Sequence, residues 1–217
     1  MKATVDLSPV SVRHRPATRL PQLLGGLVLY GVSMALMVRS DLGLDPWDVL
    51  HQGLAQRVHL SFGTITAITG ITVLLAWIPL RQRPGVGTVA NVVVIAVAVD
   101  TALAWLPHLS ALAPRIGLMV AGVVLNGLAT ACYVGARLGP GPRDGLMTGL
   151  HARTGWSVRL VRTGIEVTVL ATGWLLGGTV GIGTVLYAIA IGPLAQLFLP
   201  WVAYRDEREV MISDPAR

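Results

Sequence analysis

The sequence predicts an all-α integral membrane protein: six transmembrane helices arranged as two inverted three-helix repeats, each with a short interfacial or re-entrant helix after its first span. Three observations predict it. The 217 residues are 53% hydrophobic and 13% charged, with a mean hydropathy of +0.65, whereas soluble domains carry about a quarter charged residues. Six apolar stretches approach the roughly 20 residues that a helix needs to cross the hydrocarbon layer. A polar, proline-containing segment, "LGLDPWDVLHQGL" from Leu42, returns 96 residues later as "LGPGPRDGLMTGL" from Leu138.

Taken in order, a tail over residues 1–19 carries Arg13, Arg15 and Arg19 and leads into a first span at Leu20–Val38. Basic residues before an apolar run also resemble a signal peptide, but this run is long and the repeat needs its C-terminal part. A short helix follows: Asp45 can cap it, Pro46 is its first residue, and Asp48 sits in the first turn, where an acid complements the positive helix end. It is expected to run to about Leu60. Spans two and three are Gly63–Leu80 and Val86–Leu106, parted by "RQRPG" at Arg81. Span four, Ile116–Ala136, is followed by the second copy of the short helix. There Gly141 replaces the cap, Pro142 stays first and Asp144 keeps the acidic place, with an expected end at Thr154. Spans five and six, Leu160–Gly178 and Gly183–Val202, precede a tail over 204–217. The repeat units thus cover 20–106 and 115–203. Apolar runs this long, without alternation at every second residue, fit helices and not barrel strands, because hydrocarbon gives the backbone no partners.

Shifted by 96 positions, residues 31–106 align on 127–202 without a gap, and 23 of the 76 pairs are identical. The identities include Gly43/Gly139, Pro46/Pro142, Asp48/Asp144, Gly53/Gly149 and Trp105/Trp201. A second block, Gly85, Gly87 and Thr88 in "GVGT", falls on Gly181, Gly183 and Thr184 in "GIGT". Two unrelated apolar segments would match Leu and Val, not Pro, Asp, Trp and paired glycines in one register. Three spans per unit is an odd number, so the second unit enters the membrane from the opposite side. Inverted repeats of this kind are frequent in secondary transporters, where exchanging the conformations of two similar halves exchanges outward and inward access.

Arginine sets the expected orientation. With the N-terminus inside, 14 of the 17 Lys and Arg residues fall on the cytoplasmic side, Arg143 and Arg162 among them, and only Arg39, Arg57 and Arg115 fall outside. The bias predicts cytoplasmic N- and C-termini. It also accounts for the net charge of +6 without nucleic acid, since anionic lipid is the nearer partner of basic span ends.

Acids within spans are costly and mark cavities, partners or protonation. Asp100 in span three and Glu166 in span five are therefore candidates for a substrate or ion cavity, with Gln196 added as the repeat equivalent of Asp100. Arg162, one turn from Glu166, offers that acid an ordinary i,i+4 partner. The repeated short-helix residues Gly43, Pro46, Asp48, Gly139, Pro142 and Asp144 form a second group, read either as a loop-closing interfacial helix or as a re-entrant element lining a cavity. The GxGT blocks lack the lysine of a phosphate loop, so glycine there points to a tight turn or close helix packing. Cys132 is the single cysteine and can form no disulfide within the chain; His51 and His59 have no metal-site spacing. No catalytic constellation stands out, so no enzyme activity, metal or cofactor is expected.

The blocks "RSDLGLDPWDVLHQGL" at Arg39, "GVGTVANVVVIAVAVD" at Gly85 and "GIGTVLYAIAIGPLAQLFLP" at Gly181 resemble the bacterial YczE/YyaS/YitT-type integral membrane proteins, especially the YczE-like branch. The resemblance covers nearly the whole chain apart from its termini and implies a multi-span fold in the bacterial plasma membrane. Such relatives often carry an acid where Gln196 stands, so a mechanism needing two symmetric carboxylates does not transfer. The expected function is a small-solute transporter or permease of unknown substrate. Two alternatives are a non-transporting accessory protein of another membrane or biosynthetic system, and the substrate-binding membrane subunit of a multi-component importer. Expected partners are the lipid bilayer, a small solute or ion, and a second copy or another membrane protein.

Overall fold

The computed structural model describes residues 9–204; Lys2, Arg205, Arg208 and Arg217 of the orientation argument lie outside the described residues. Eight helices follow in order: α1 (Pro16–Ser40), α2 (Pro46–Val58), α3 (Phe62–Leu80), α4 (Val86–Trp105), α5 (Leu112–Gly135), α6 (Pro142–Thr154), α7 (Val158–Leu175) and α8 (Ile182–Val202). The chain is an all-α, multi-pass membrane protein. Helices α1, α3, α4, α5 and α8 are long and apolar enough to cross a membrane. The stretch expected as span five is α7, whose 18 residues include Arg159, Arg162 and Glu166. Those three charges give α7 one polar face, so length and composition alone do not mark it as a span.

Local chemistry explains the helix ends. Asp45 accepts from the amides of Trp47 and Asp48, and Ser61 and Ser157, themselves 96 residues apart, cap α3 and α7 through the amides of Thr64 and Leu160. Gly43 and Gly139 hold φ of 120° and 129°, a region that side-chain-bearing residues avoid. Their positions are tight as well. A Cβ on Gly43 would sit 2.8 Å from the backbone nitrogens of Gly181 and Thr184, and one on Gly139 would sit 3.1 Å from Gly85 Cα.

The central packing is α1 against α4 and α5. Leu23, Leu27, Tyr30 and Met34 of α1 are buried with Ile95 and Val99 of α4 and Ala129 and Tyr133 of α5. Small residues let these backbones approach: a Cβ on Gly31 would lie 2.8 Å from Val99 N, and one on Gly26 would lie 3.0 Å from Tyr133 N, the close contact by which helices associate in lipid. The outward faces stay apolar, with Ile78, Val97, Leu175, Ile182 and Ile189 exposed as lipid requires. Trp105 and Trp201, 84% and 87% exposed, end α4 and α8, where aromatic rings suit the headgroup level.

Contacts between the two halves come in matched pairs. Helix α2 lies on α7, and α6 lies on α3. Gly183 N donates to Leu42 O at 2.8 Å, and Gly87 N donates to Leu138 O at 3.0 Å. A Cβ on Gly53 would meet Leu176 and Gly178, while one on Gly149 would meet Leu80 and Gln82; these four neighbours are also 96 residues apart in pairs. The GxGT blocks therefore do two things. Thr88 and Thr184 accept from the amides of Gly85 and Gly181 at the starts of α4 and α8, and the glycines leave room for the chain just ahead of α6 and α2.

Candidate functional site

Helices α2 and α6 both begin at one cavity of about 210 Å³. Asp45, Pro46 and Trp47 line it from α2, and Gly141, Pro142, Arg143 and Asp144 line it from α6. Tyr30, Tyr133 and Tyr187 complete an aromatic and polar wall, and Arg162 and Glu166 stand on α7.

Arg143 is the charge at the centre. Its Nη1 lies 3.6 Å from Asp45 Oδ2 and its Nη2 lies 3.7 Å from Asp48 Oδ1, and its guanidinium sits 5.0 Å above the Trp47 ring, a cation–π arrangement. Asp45 and Asp48 are 1% and 0% exposed. One cation therefore serves two buried carboxylates, and Oδ2 of each accepts no hydrogen bond. Asp45 Oδ1, by contrast, is fully used as the α2 cap, at 2.8 Å and 2.9 Å from the amides of Trp47 and Asp48. Asp48 Oδ1 lies 3.1 Å from His51 Nδ1.

Burial governs the protonation of these groups on α2. It pushes the Asp45 carboxyl up, with the neighbouring Asp48 adding to the shift. It pushes the Asp48 carboxyl up to about 7, against the pull of Arg143. Burial and Arg143 together hold His51 down at about 3, so its imidazole is neutral at neutral pH.

The surrounding polar groups are tied together. Tyr133 Oη donates to Asp144 Oδ2 at 3.1 Å, Tyr187 Oη donates to Asn126 Oδ1 at 3.0 Å, and Asn126 Nδ2 donates to Ser33 Oγ at 2.8 Å. Trp77 Nε1 donates to Pro142 O at 3.0 Å, which fixes the start of α6. Gly145 makes that contact feasible, because a Cβ there would sit 2.0 Å from the Trp77 ring.

The structure separates the three acids and amides that the sequence grouped. Glu166 lines the cavity and accepts from Arg162 Nε at 2.8 Å. Asp100 is not among the lining residues; it accepts from Ser61 Oγ at 2.5 Å and Gly63 N at 2.7 Å, which secures the first turn of α3. Gln196 is exposed on α8 and does not line the cavity. The repeated short-helix residues supply the site instead, with Pro46, Pro142 and Asp144 on its wall and Asp48 behind Arg143. Asp45 and Arg143, one read as a cap and the other as a cytoplasmic-side charge, are the residues whose meeting sequence reasoning missed. Their signal was the duplicated helix start itself. Among the described residues no group of three or more His, Cys, Asp or Glu is placed to hold a metal.

Residues 17–200 match a family of unknown function, DUF6198. An uncharacterized protein of Haemophilus influenzae is 41% identical over 181 residues, covering 83% of this chain and 83% of its own length. The uncharacterized membrane protein YczE of Bacillus subtilis is 38% identical over 178 residues, 81% of this chain and 82% of that protein. YyaS, an uncharacterized protein of the same organism, is 25% identical over 184 residues, 82% of this chain and 90% of its own length. No solved structure matches the chain.

Proposed function

Taking as premise that the chain belongs to the DUF6198 family, we propose that it is a small-solute transporter of the bacterial inner membrane, built from two inverted three-span repeats around the Asp45–Arg143 cavity. In this reading α7 is span five and completes a set of six, its charged face turned to the cavity, both termini are cytoplasmic, and α2 and α6 are re-entrant. One observation carries the proposal: two helix starts that the sequence places on opposite sides of the membrane line one cavity. Irregular backbone and buried carboxylates at such depth are tolerated where they line a solute path. The matched contacts between halves add to this, because α2 leans on α7 and α6 on α3, so a rocking of one repeat against the other would open each side in turn.

The test uses a cysteine at Thr69, on the cavity wall, in a Cys132→Ala background. In oriented vesicles a membrane-impermeant thiol reagent should reach it from either face. A solute that stabilises the purified protein should accumulate in proteoliposomes, and Arg143→Gln should abolish that uptake. Labelling from one face only, together with binding but no uptake, would overturn the transporter reading and favour an accessory protein.

A further inference from the structure

We propose that solute reaches the cavity through a water-filled mouth between α7 and α8, while Asp100 holds shut the equivalent seam between α3 and α4. With both termini cytoplasmic, that mouth opens inward and the clasped seam faces out. This rests on reading the cavity as a solute site.

The two seams occupy the same place in the repeat, yet they are built differently. Helix α3 packs along α4, whereas among the described residues α7 has no such packing on α8. Gly63, Thr66, Ala96 and Val99 are all buried in the first seam. Their equivalents 96 residues on are Arg159 and Arg162, both exposed, and Gly192 and Ala195, both half-buried. The cavity extends into this gap, lined by Arg162 and Glu166 on one side and by Ile191, Gly192 and Ala195 on the other.

The residues explain the difference. The first seam shuts on a glycine and an acid: a Cβ on Gly63 would lie 2.1 Å from Ala96 O, and Asp100 of α4 accepts from Ser61 Oγ and Gly63 N at the start of α3. The second copy keeps the serine, as Ser157, but has Arg159 in place of Gly63 and Gln196 in place of Asp100. An arginine side chain does not fit the space that a glycine leaves, so α7 and α8 lack the close contact that joins α3 to α4. Ser157 caps α7 at Leu160, and Gln196 is exposed. Charge then decides what fills the gap. Arg162 and Glu166 are 53% and 34% exposed there, and an ion pair bare to hydrocarbon is costly, so water fills it. The faces of these helices that meet lipid carry Val167, Trp174 and Ile189 instead.

Single cysteines at matched positions of the full-length protein, in a Cys132→Ala background, read the two seams: Gly192→Cys beside Ala96→Cys, and Ala195→Cys beside Val99→Cys. A Cβ on Gly192 meets nothing within 4 Å, so that substitution fits. In oriented vesicles a membrane-impermeant maleimide should label positions 192 and 195 from the cytoplasmic face roughly tenfold faster than 96 and 99, whose thiols wait for a local opening. Adding Asp100→Ala should expose 96 and 99 to the same reagent from the outer face and leave cytoplasmic labelling of 192 unchanged. Asp100→Asn keeps an oxygen for the Gly63 amide, should expose them less, and serves where the alanine variant does not fold. Labelling of 192 and 195 by a membrane-permeant maleimide alone would mean that lipid fills the gap and would overturn the inference. Equal rates in the two seams, or positions 96 and 99 still protected in Asp100→Ala, would overturn it as well. If the mouth fails while a thiol at Thr69 is reached from both faces, the inference falls and the transporter stands. If 192 is labelled as expected but Thr69 is reached from the cytoplasm alone, without uptake, the mouth stands and the transporter falls.

Discussion

Helices α2 and α6 share their length, a first proline and an acid two residues on, yet α2 buries Trp47, Asp48, Val49, His51 and Gly53 while α6 buries Pro142, Gly145 and Gly149. What they share is backbone machinery. A glycine at positive φ turns the chain, the proline fixes the first helical residue, and a GxGT block from the other half receives the turn. What differs is chemistry, concentrated at two pairs of positions: Asp45 against Gly141 and Trp47 against Arg143. The two helix starts meet at one cavity, and at these four residues α2 supplies an acid that caps its own helix where α6 supplies a glycine and an arginine.

The strongest way to break that contrast is to remove the cation that Asp45 and Asp48 share. Arg143→Gln leaves Asp45 and Asp48 buried without a counter-ion and should cost about 4 kcal/mol, measured as a loss of thermal stability in detergent. Adding Asp45→Asn and Asp48→Asn to it should restore most of the loss, because no buried charge then remains. If the triple variant is as unstable as the single one, the arginine acts through packing on Trp47 and not through charge. Next in size is Gly145→Ala, which drives a methyl into the Trp77 ring and should cost about 3 kcal/mol. The equivalent residue on α2 is Val49, fully buried, and Val49→Ala should cost only about 1–2 kcal/mol. A similar loss at both positions would mean that the two helices are packed alike.

The shared turns give a smaller difference. Gly43→Ala and Gly139→Ala both force a side chain into positive φ, at about 1–3 kcal/mol, and both should lower the melting temperature. Gly43→Ala should lose more, since its Cβ would press on backbone at 2.8 Å, whereas that of Gly139 has 3.1 Å. Equal melting temperatures would show that backbone strain alone decides the cost.

Much of this architecture could be read from the sequence because its signals are local. Apolar length marks α1, α3, α4, α5 and α8, Pro46 and Pro142 mark the short helices, and the register of 96 pairs Ser61 with Ser157 and GVGT with GIGT before any coordinates are known. The span bounds agree with the helices to within a few residues. The ion cluster is a different matter. An acid inside an apolar run stands out by contrast, which is why Asp100 draws the eye, yet its bonds to Ser61 and Gly63 give it a helix to secure. Asp45 and Arg143 lie in polar segments where a charge is unremarkable, 98 positions apart, and only the meeting of α2 and α6 gives them each other. The alternation of cap and no cap at 45 and 141 was visible in the alignment, but its meaning needs both helix starts in one cavity.

The smallest effect concerns the two acids that occupy the same place in the repeat. Burial holds Asp48 up at about 7, above its ordinary value in an unfolded chain. Between those two values the folded protein keeps a proton that the unfolded one releases, so the stability of the ligand-free protein falls as pH rises through that window. The groups facing Asp48 are Asp45 and His51 on its own helix, Arg143 from α6 and Tyr30 from α1; His51, held at about 3, stays neutral throughout. Asp144 is also raised by burial, but the Tyr133 hydroxyl and the Gly141 amide pull it back. Wild-type melting temperature should therefore fall as pH rises from about 5 to about 7.5. Asp48→Asn should remove most of that slope and Asp144→Asn much less. Equal slopes in the two variants would mean that the carboxylates are solvated alike, and that the difference between α2 and α6 ends at the cap.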